Sequence, residues 1–110
     1  MRRGTTPVHN FTLPFTVPEG ASIRIVYAQN EVIILEKTTE ACSVSDKCVS
    51  VRLTDAETLK FDCSEHYHNG RHEPYPVEIQ IGVKTPYGDK LWSEIITTTV
   101  ERCLRKDGVI

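Results

Sequence analysis

Apolar and polar residues alternate along most of this chain with a period of two, the repeat of a strand with one face buried and the other in water. The first such run covers 11–17, where Phe11, Leu13, Phe15 and Val17 alternate with Thr12, Pro14 and Thr16. Pro14 has no N–H to give to a ladder, so the run reads as an edge strand. Pro18-Glu19-Gly20 ends it. Residues 22–28 and 31–37 read as a hairpin. Ile23, Ile25 and Tyr27 share a face of the first arm, and Val32 to Leu35 is apolar on both faces. Gln29-Asn30 is the expected turn, since Asn tolerates left-handed backbone.

Residues 48–54 and 58–64 predict a second hairpin, with Val49, Val51 and Leu53 on one face and Leu59, Phe61 and Cys63 of the return arm on that same face. A polar, His-rich loop is expected from His66 to Pro76. The clearest alternation follows, Val77, Ile79, Ile81 and Val83 against Glu78, Gln80, Gly82 and Lys84. Pro86-Tyr87-Gly88-Asp89 is a turn signal. The chain then returns through Leu91 to Val100, and Thr97-Thr98-Thr99 favours strand to about residue 101. A helical spacing of Ile96, Val100, Cys103 and Leu104, with Gly108 as a cap, competes beyond that point.

Seven strands at intervals of about ten residues, with no convincing helix, predict an all-β fold, an antiparallel β-sandwich. The expected core is Phe11, Leu13, Phe15, Ile23, Ile25, Ile34, Val51, Leu53, Phe61, Val77, Ile79, Ile81 and Trp92. Trp92 is assigned to packing on its sheet, with an interface anchor as the alternative. The expected organisation is a flexible arm over 1–9, one domain over 10–104 and a tail over 105–110.

The chain has 110 residues, enough for one domain that buries its own core. Its net charge of -2 provides no global basic field, so no nucleic-acid partner is expected. No apolar run approaches the length of a membrane span, and no membrane insertion by this segment is expected. Met1 to Pro7 lacks the apolar stretch of a signal peptide. The reading adopted is a start placed after a removed signal, in an extracellular or secreted protein. Two features carry that localisation. Four cysteines, Cys42, Cys48, Cys63 and Cys103, are compatible with two disulfides in any of three connectivities. Asn10-Phe11-Thr12 is a glycosylation acceptor triplet. The hairpin register puts Cys63 on the core face and Cys48 on the other, which favours Cys42–Cys48 with Cys63–Cys103.

Tyr75 to Val83 followed by Gly88-Asp89-Lys90-Leu91-Trp92-Ser93-Glu94 resembles the last two strands of a fibronectin type III domain. Cys42 to Cys48 resembles the short disulfide loop of class II cytokine (interferon-type) receptor modules. The tail from Val100 to Ile110 is similar to the end of the first such module. The resemblance covers about residues 42–110. It implies a fibronectin type III or immunoglobulin-like sandwich, a ligand-binding ectodomain or soluble decoy, and a secreted protein ligand of the cytokine kind. Contact through loops at one end is the corollary. Tyr67, His68, Arg71, Tyr75 and Tyr87 are the contact candidates, because tyrosines give large rigid contact area at low entropy cost. A jelly roll of the CUB kind is the alternative fold.

Two other functional classes were weighed. Cys63, His66, His68 and His72 form a Cys-x2-His-x-His-x3-His cluster of zinc-preferring groups, which would make a cytosolic zinc-binding β-domain. That reading excludes a disulfide at Cys63. A viral or microbial structural sandwich module is the third. A nucleophilic Cys–His pair would need an orienting group and an oxyanion site, and nothing in the sequence marks either. No Gly-rich phosphate loop is present, so a non-enzymatic domain without a cofactor is expected.

Overall fold

The computed structural model describes residues 1–62, 66–68, 71–73, 75–101, 104–105 and 107–110, with the backbone alone for 66–68, 71–73 and 75. Strand β1 is Val8–Thr12, with Phe11 buried and Asn10 exposed. It stops before Pro14, as the missing donor requires. The chain then runs beside a later turn, with Leu13 N–H donating to the Lys47 carbonyl (2.8 Å) and Val17 N–H to that of Asp46 (2.9 Å). β2 is Ser22–Gln29 and β3 is Val32–Thr38. Their turn is Asn30-Glu31, both residues at positive φ (49° and 64°), the two-residue turn whose twist matches a hairpin. A bulge between Tyr27 and Ala28 shifts the register. It brings Leu35 opposite Tyr27 into the core and leaves Ile34, an expected core residue, only partly buried.

The second expected hairpin does not form. β4 (Cys42–Ser45) and β5 (Cys48–Arg52) make the hairpin instead, and β5 also pairs with β1. After β5 the chain enters α1, Asp55–Thr58. The cause is a capping box: Thr54 Oγ1 accepts from Glu57 N–H (3.1 Å) while Glu57 Oε1 accepts from Thr54 N–H (2.8 Å). Phe61 still reaches the core, from the coil after α1. The His-rich loop carries β6 (His66–His68) and β7 (Arg71–Glu73), paired as a two-stranded ribbon. β8 is Tyr75–Lys84, β9 is Lys90–Trp92 and β10 is Ile96–Val100. Strand therefore runs on to Val100, as the threonines suggest.

Two antiparallel sheets enclose one core. The smaller has the order β1-β5-β4, and the larger the order β10-β8-β2-β3 with β9 also on β8. An isolated parallel bridge, Arg2↔Glu101, adds the start of the chain beside β10. The expected arm over 1–9 is thus tied down. Val8 and His9 belong to β1, Arg3 Nη2 donates to the Leu59 carbonyl (2.8 Å), and Gly4 N–H donates to Thr58 Oγ1 (3.0 Å). The core holds Phe11, Leu13, Val49, Val51 and Leu53 from the smaller sheet and its continuation, and Ile23, Ile25, Tyr27, Val77, Ile79, Ile81, Val83 and Val100 from the larger. Phe15 is only partly buried against it.

The expected Cys42–Cys48 bridge is also absent, and both are free thiols. Cys42 pairs with Val51 on the core face, whereas Cys48 pairs with Ser45. That position lies three residues along β4 from Cys42, about 10 Å away, and an odd number of residues puts it on the opposite face. A disulfide needs Cα atoms closer than about 7 Å and converging side chains. Cys63 and Cys103 lie outside the described residues.

Candidate binding surface

The return from β9 to β10 is not one continuous strand. Gly82 faces Trp92 and Ile79 faces Ile96, so three residues, Ser93 to Ile95, stand against two, Gln80 and Ile81. Ser93 stabilises this bulge. Its N–H donates to the Ile81 carbonyl (2.8 Å), and its Oγ accepts from Ile81 N–H (2.9 Å) in place of a ladder carbonyl. The Ser93 carbonyl accepts from Gln80 Nε2 (2.9 Å). An extra residue changes which face the next side chain takes. Trp92 and Ile95, three apart, consequently both stand over the outer face of the larger sheet.

Trp92 is therefore not a core residue, contrary to expectation: 53% of it is exposed. Its six-membered ring lies over Gly82. A Cβ at Gly82 would come within 2.6–2.9 Å of three ring carbons. Only glycine lets the ring rest on the backbone here. The inner face of β8 still buries Val77, Ile79, Ile81 and Val83, so Trp92 packs on the sheet from outside.

Cross-strand register arranges the rest of this face, because directly opposed residues project on the same side. One row across the sheet is Lys90, Lys84 and Ser22; the next is Trp92, Gly82, Arg24 and Thr38. Arg24 Nη1 is held by Glu36 Oε2 (3.2 Å). These rows border a groove of about 480 Å³, walled by Trp92, Arg24, Thr38, Thr39 and the two lysines. A smaller hollow of about 90 Å³ lies beside Val26, Ala28, Glu78, Gln80 and Ile95. Ile33, opposite Ala28, extends the apolar ground to β3. Ile95 and Ile33 are each 57% exposed.

The perturbed ionisable groups lie elsewhere, between the sheets and under α1. Tyr27 Oη is 2.8 Å from His9 Nδ1. Burial, with lesser help from Cys42 and Glu57, pushes the phenol far up, so its hydroxyl stays protonated beside the imidazole. Burial also pulls His9 below the usual histidine value. Cys42 is pushed up by burial, against a partial downward pull from Lys37, and donates to the Thr38 carbonyl (3.3 Å). A thiol held protonated in this way is a packing group. Glu57 is pushed up by burial, but the Lys37 ammonium (2.6 Å) and Thr54 outweigh it and hold the carboxyl low. Buried Gln29 exchanges two 2.8 Å hydrogen bonds with the backbone of Asp62. Together these contacts bind β1, β2, β3 and α1 to one another.

Of the loop contact candidates, Tyr87 alone has a described side chain. Tyr87 is 90% exposed at the β8–β9 turn, where Gly88 has φ 93°. The side chains of Tyr67, His68, Arg71 and Tyr75, and the zinc set Cys63, His66, His68 and His72, lie outside the described residues. Among the described residues, no three His, Cys, Asp or Glu side chains are placed to hold a metal ion. No described helix is long and apolar enough to cross a membrane. Asn10 is exposed on the outer face of the smaller sheet, and its Oδ1 accepts from Ser50 Oγ (2.6 Å). Comparison of the chain with protein-family models, curated proteins and solved structures finds no match.

Proposed function

We propose that the chain is a non-enzymatic protein-binding module of an extracellular protein, receptor-ectodomain-like or decoy-like, that meets a secreted protein ligand with the outer face of its larger sheet. The observation that carries this reading is the exposure of Trp92, Ile95 and Ile33 on one sheet face. A monomer that leaves a tryptophan and two isoleucines in water on a flat, strand-built surface leaves an apolar patch uncovered, and such patches mark interaction sites. Tryptophan is the residue most enriched among binding hot spots. The bulge at Ser93 and the glycine at 82 support the same reading, because both place Trp92 outward and neither improves the core. Asn10, exposed and on the opposite sheet, suits a glycan that leaves this face free.

The test is a binding survey of the whole chain against an array of secreted proteins, beside a Trp92→Ser/Ile95→Ser variant and a Tyr87→Ser variant. The expected result is a saturable partner whose affinity falls at least 10-fold in the double variant and little in Tyr87→Ser, with unchanged circular dichroism. A survey without a partner, or a partner indifferent to Trp92 and Ile95, would contradict it.

A further inference from the structure

Lys84 and Lys90 are directly opposed across β8 and β9 and project from the same face. Like charges in that position repel, and a sheet gains by avoiding them. Neither lysine has an ion-pair partner among the described residues, whereas nearby Arg24 is matched by Glu36. One rung further along, the indole of Trp92 lies on Gly82 at the wall of the groove, and Ile95 follows beyond the bulge. The surface therefore runs from a cationic end, unpaired among the described residues, to the apolar side chains of Trp92 and Ile95, with Glu78 bordering the far hollow.

Resting on the protein-binding reading above, we infer that this groove takes an acidic, extended segment of a protein partner, with carboxylates at the Lys84–Lys90 pair and apolar side chains over Trp92 and Ile95. An anion between the lysines converts their mutual repulsion into two attractions. Two lysines on flexible stems offer point charges rather than a planar fork, which suits carboxylates arriving singly along a chain. The apolar ground beyond the lysines distinguishes this from a site for a plain polyanion, which would need further cations there.

The lone tryptophan reports directly on the groove. Trp92 emission of the whole chain is followed during titration with three probes: a blocked octapeptide of alternating Glu and Leu, its Lys–Leu counterpart, and a heparin octasaccharide. The expected result is a saturable change with the Glu–Leu peptide alone, weakened at least 10-fold in Lys84→Gln/Lys90→Gln and progressively by added salt. Relief of repulsion should leave that variant's melting temperature equal to or above that of the parent, so a lost response is not lost folding. No response to the Glu–Leu peptide, an equal response to the Lys–Leu peptide, or an unchanged response in the lysine variant would overturn the inference. Heparin binding without peptide binding would assign the lysines to a sulfated polysaccharide and overturn it too. If the partner found in the survey depends on Trp92 but not on the lysines, the binding face stands and the acidic partner falls.

Discussion

At Gly82 a single absent atom decides where the tryptophan goes. The ring of Trp92 occupies the space a Cβ would fill, with three ring carbons inside 3 Å of that position. Gly82→Ala should therefore lift the indole off the sheet. Because the ring is half exposed, it can move, so the expected stability loss is at the low end of the range for overpacking, about 1 kcal/mol. The emission maximum should shift to the red, and binding through the face should weaken. An unchanged spectrum would mean that the ring does not lie on Gly82.

His9 makes the second residue-scale case. Its folded value is depressed by burial, so the unfolded chain binds the proton more readily. The contribution of neutral His9 is present above the ordinary histidine value of about 6.5 and is lost as pH falls through the lower folded value. Urea midpoints should fall between pH 7.5 and 5.5, and His9→Gln should flatten that slope. A slope equal to the parent's would remove His9 from the account.

Among the elements, the bulge at Ser93 to Ile95 matters most to the surface. Ser93→Ala deletes the oxygen that accepts from Ile81 N–H. A buried donor left without a partner costs about 1–3 kcal/mol. Hydrogen exchange at Ile81 should quicken in the variant, and protection equal to the parent's would show that Ser93 does not hold the bulge. β2 and β8 were legible because their inward positions repeat every second residue, and β3 because an apolar run, Val32 to Leu35, follows a turn signal. β4 was not, since Ser43 and Ser45 fill its outer face and leave only Cys42 and Val44 to signal a strand. The stretch 54–57 was misread for a local reason. Thr54-x-x-Glu57 is a capping box, and read as part of a turn it left Leu59 to Cys63 as a return arm. The bulge was hidden because alternation carried through Leu91 to Val100 masks one added residue, which inverts the faces on either side of it. A glycine inside the strongest strand was the available sign that something packs closely on β8.

For the whole molecule, two sheets over one core leave two outer faces of different character. Apart from Val8 and Arg52, paired at its end, the face of the smaller sheet is made of small residues, Asn10, Thr12, Ser43, Ser45, Cys48 and Ser50. The other carries Trp92, Ile95 and Ile33 beside unmatched lysines. That asymmetry separates the account from a uniformly solvated scaffold. It also differs most sharply from what alternation alone implies, which is a tryptophan in the core. Acrylamide quenching and the emission maximum of the single tryptophan in the native chain distinguish the two directly. Red-placed emission, with quenching that changes only modestly on unfolding, is the result expected of an indole half in water on the outer sheet. Blue, quencher-protected emission that moves to the red only when the chain unfolds would put Trp92 in the core and contradict the binding face.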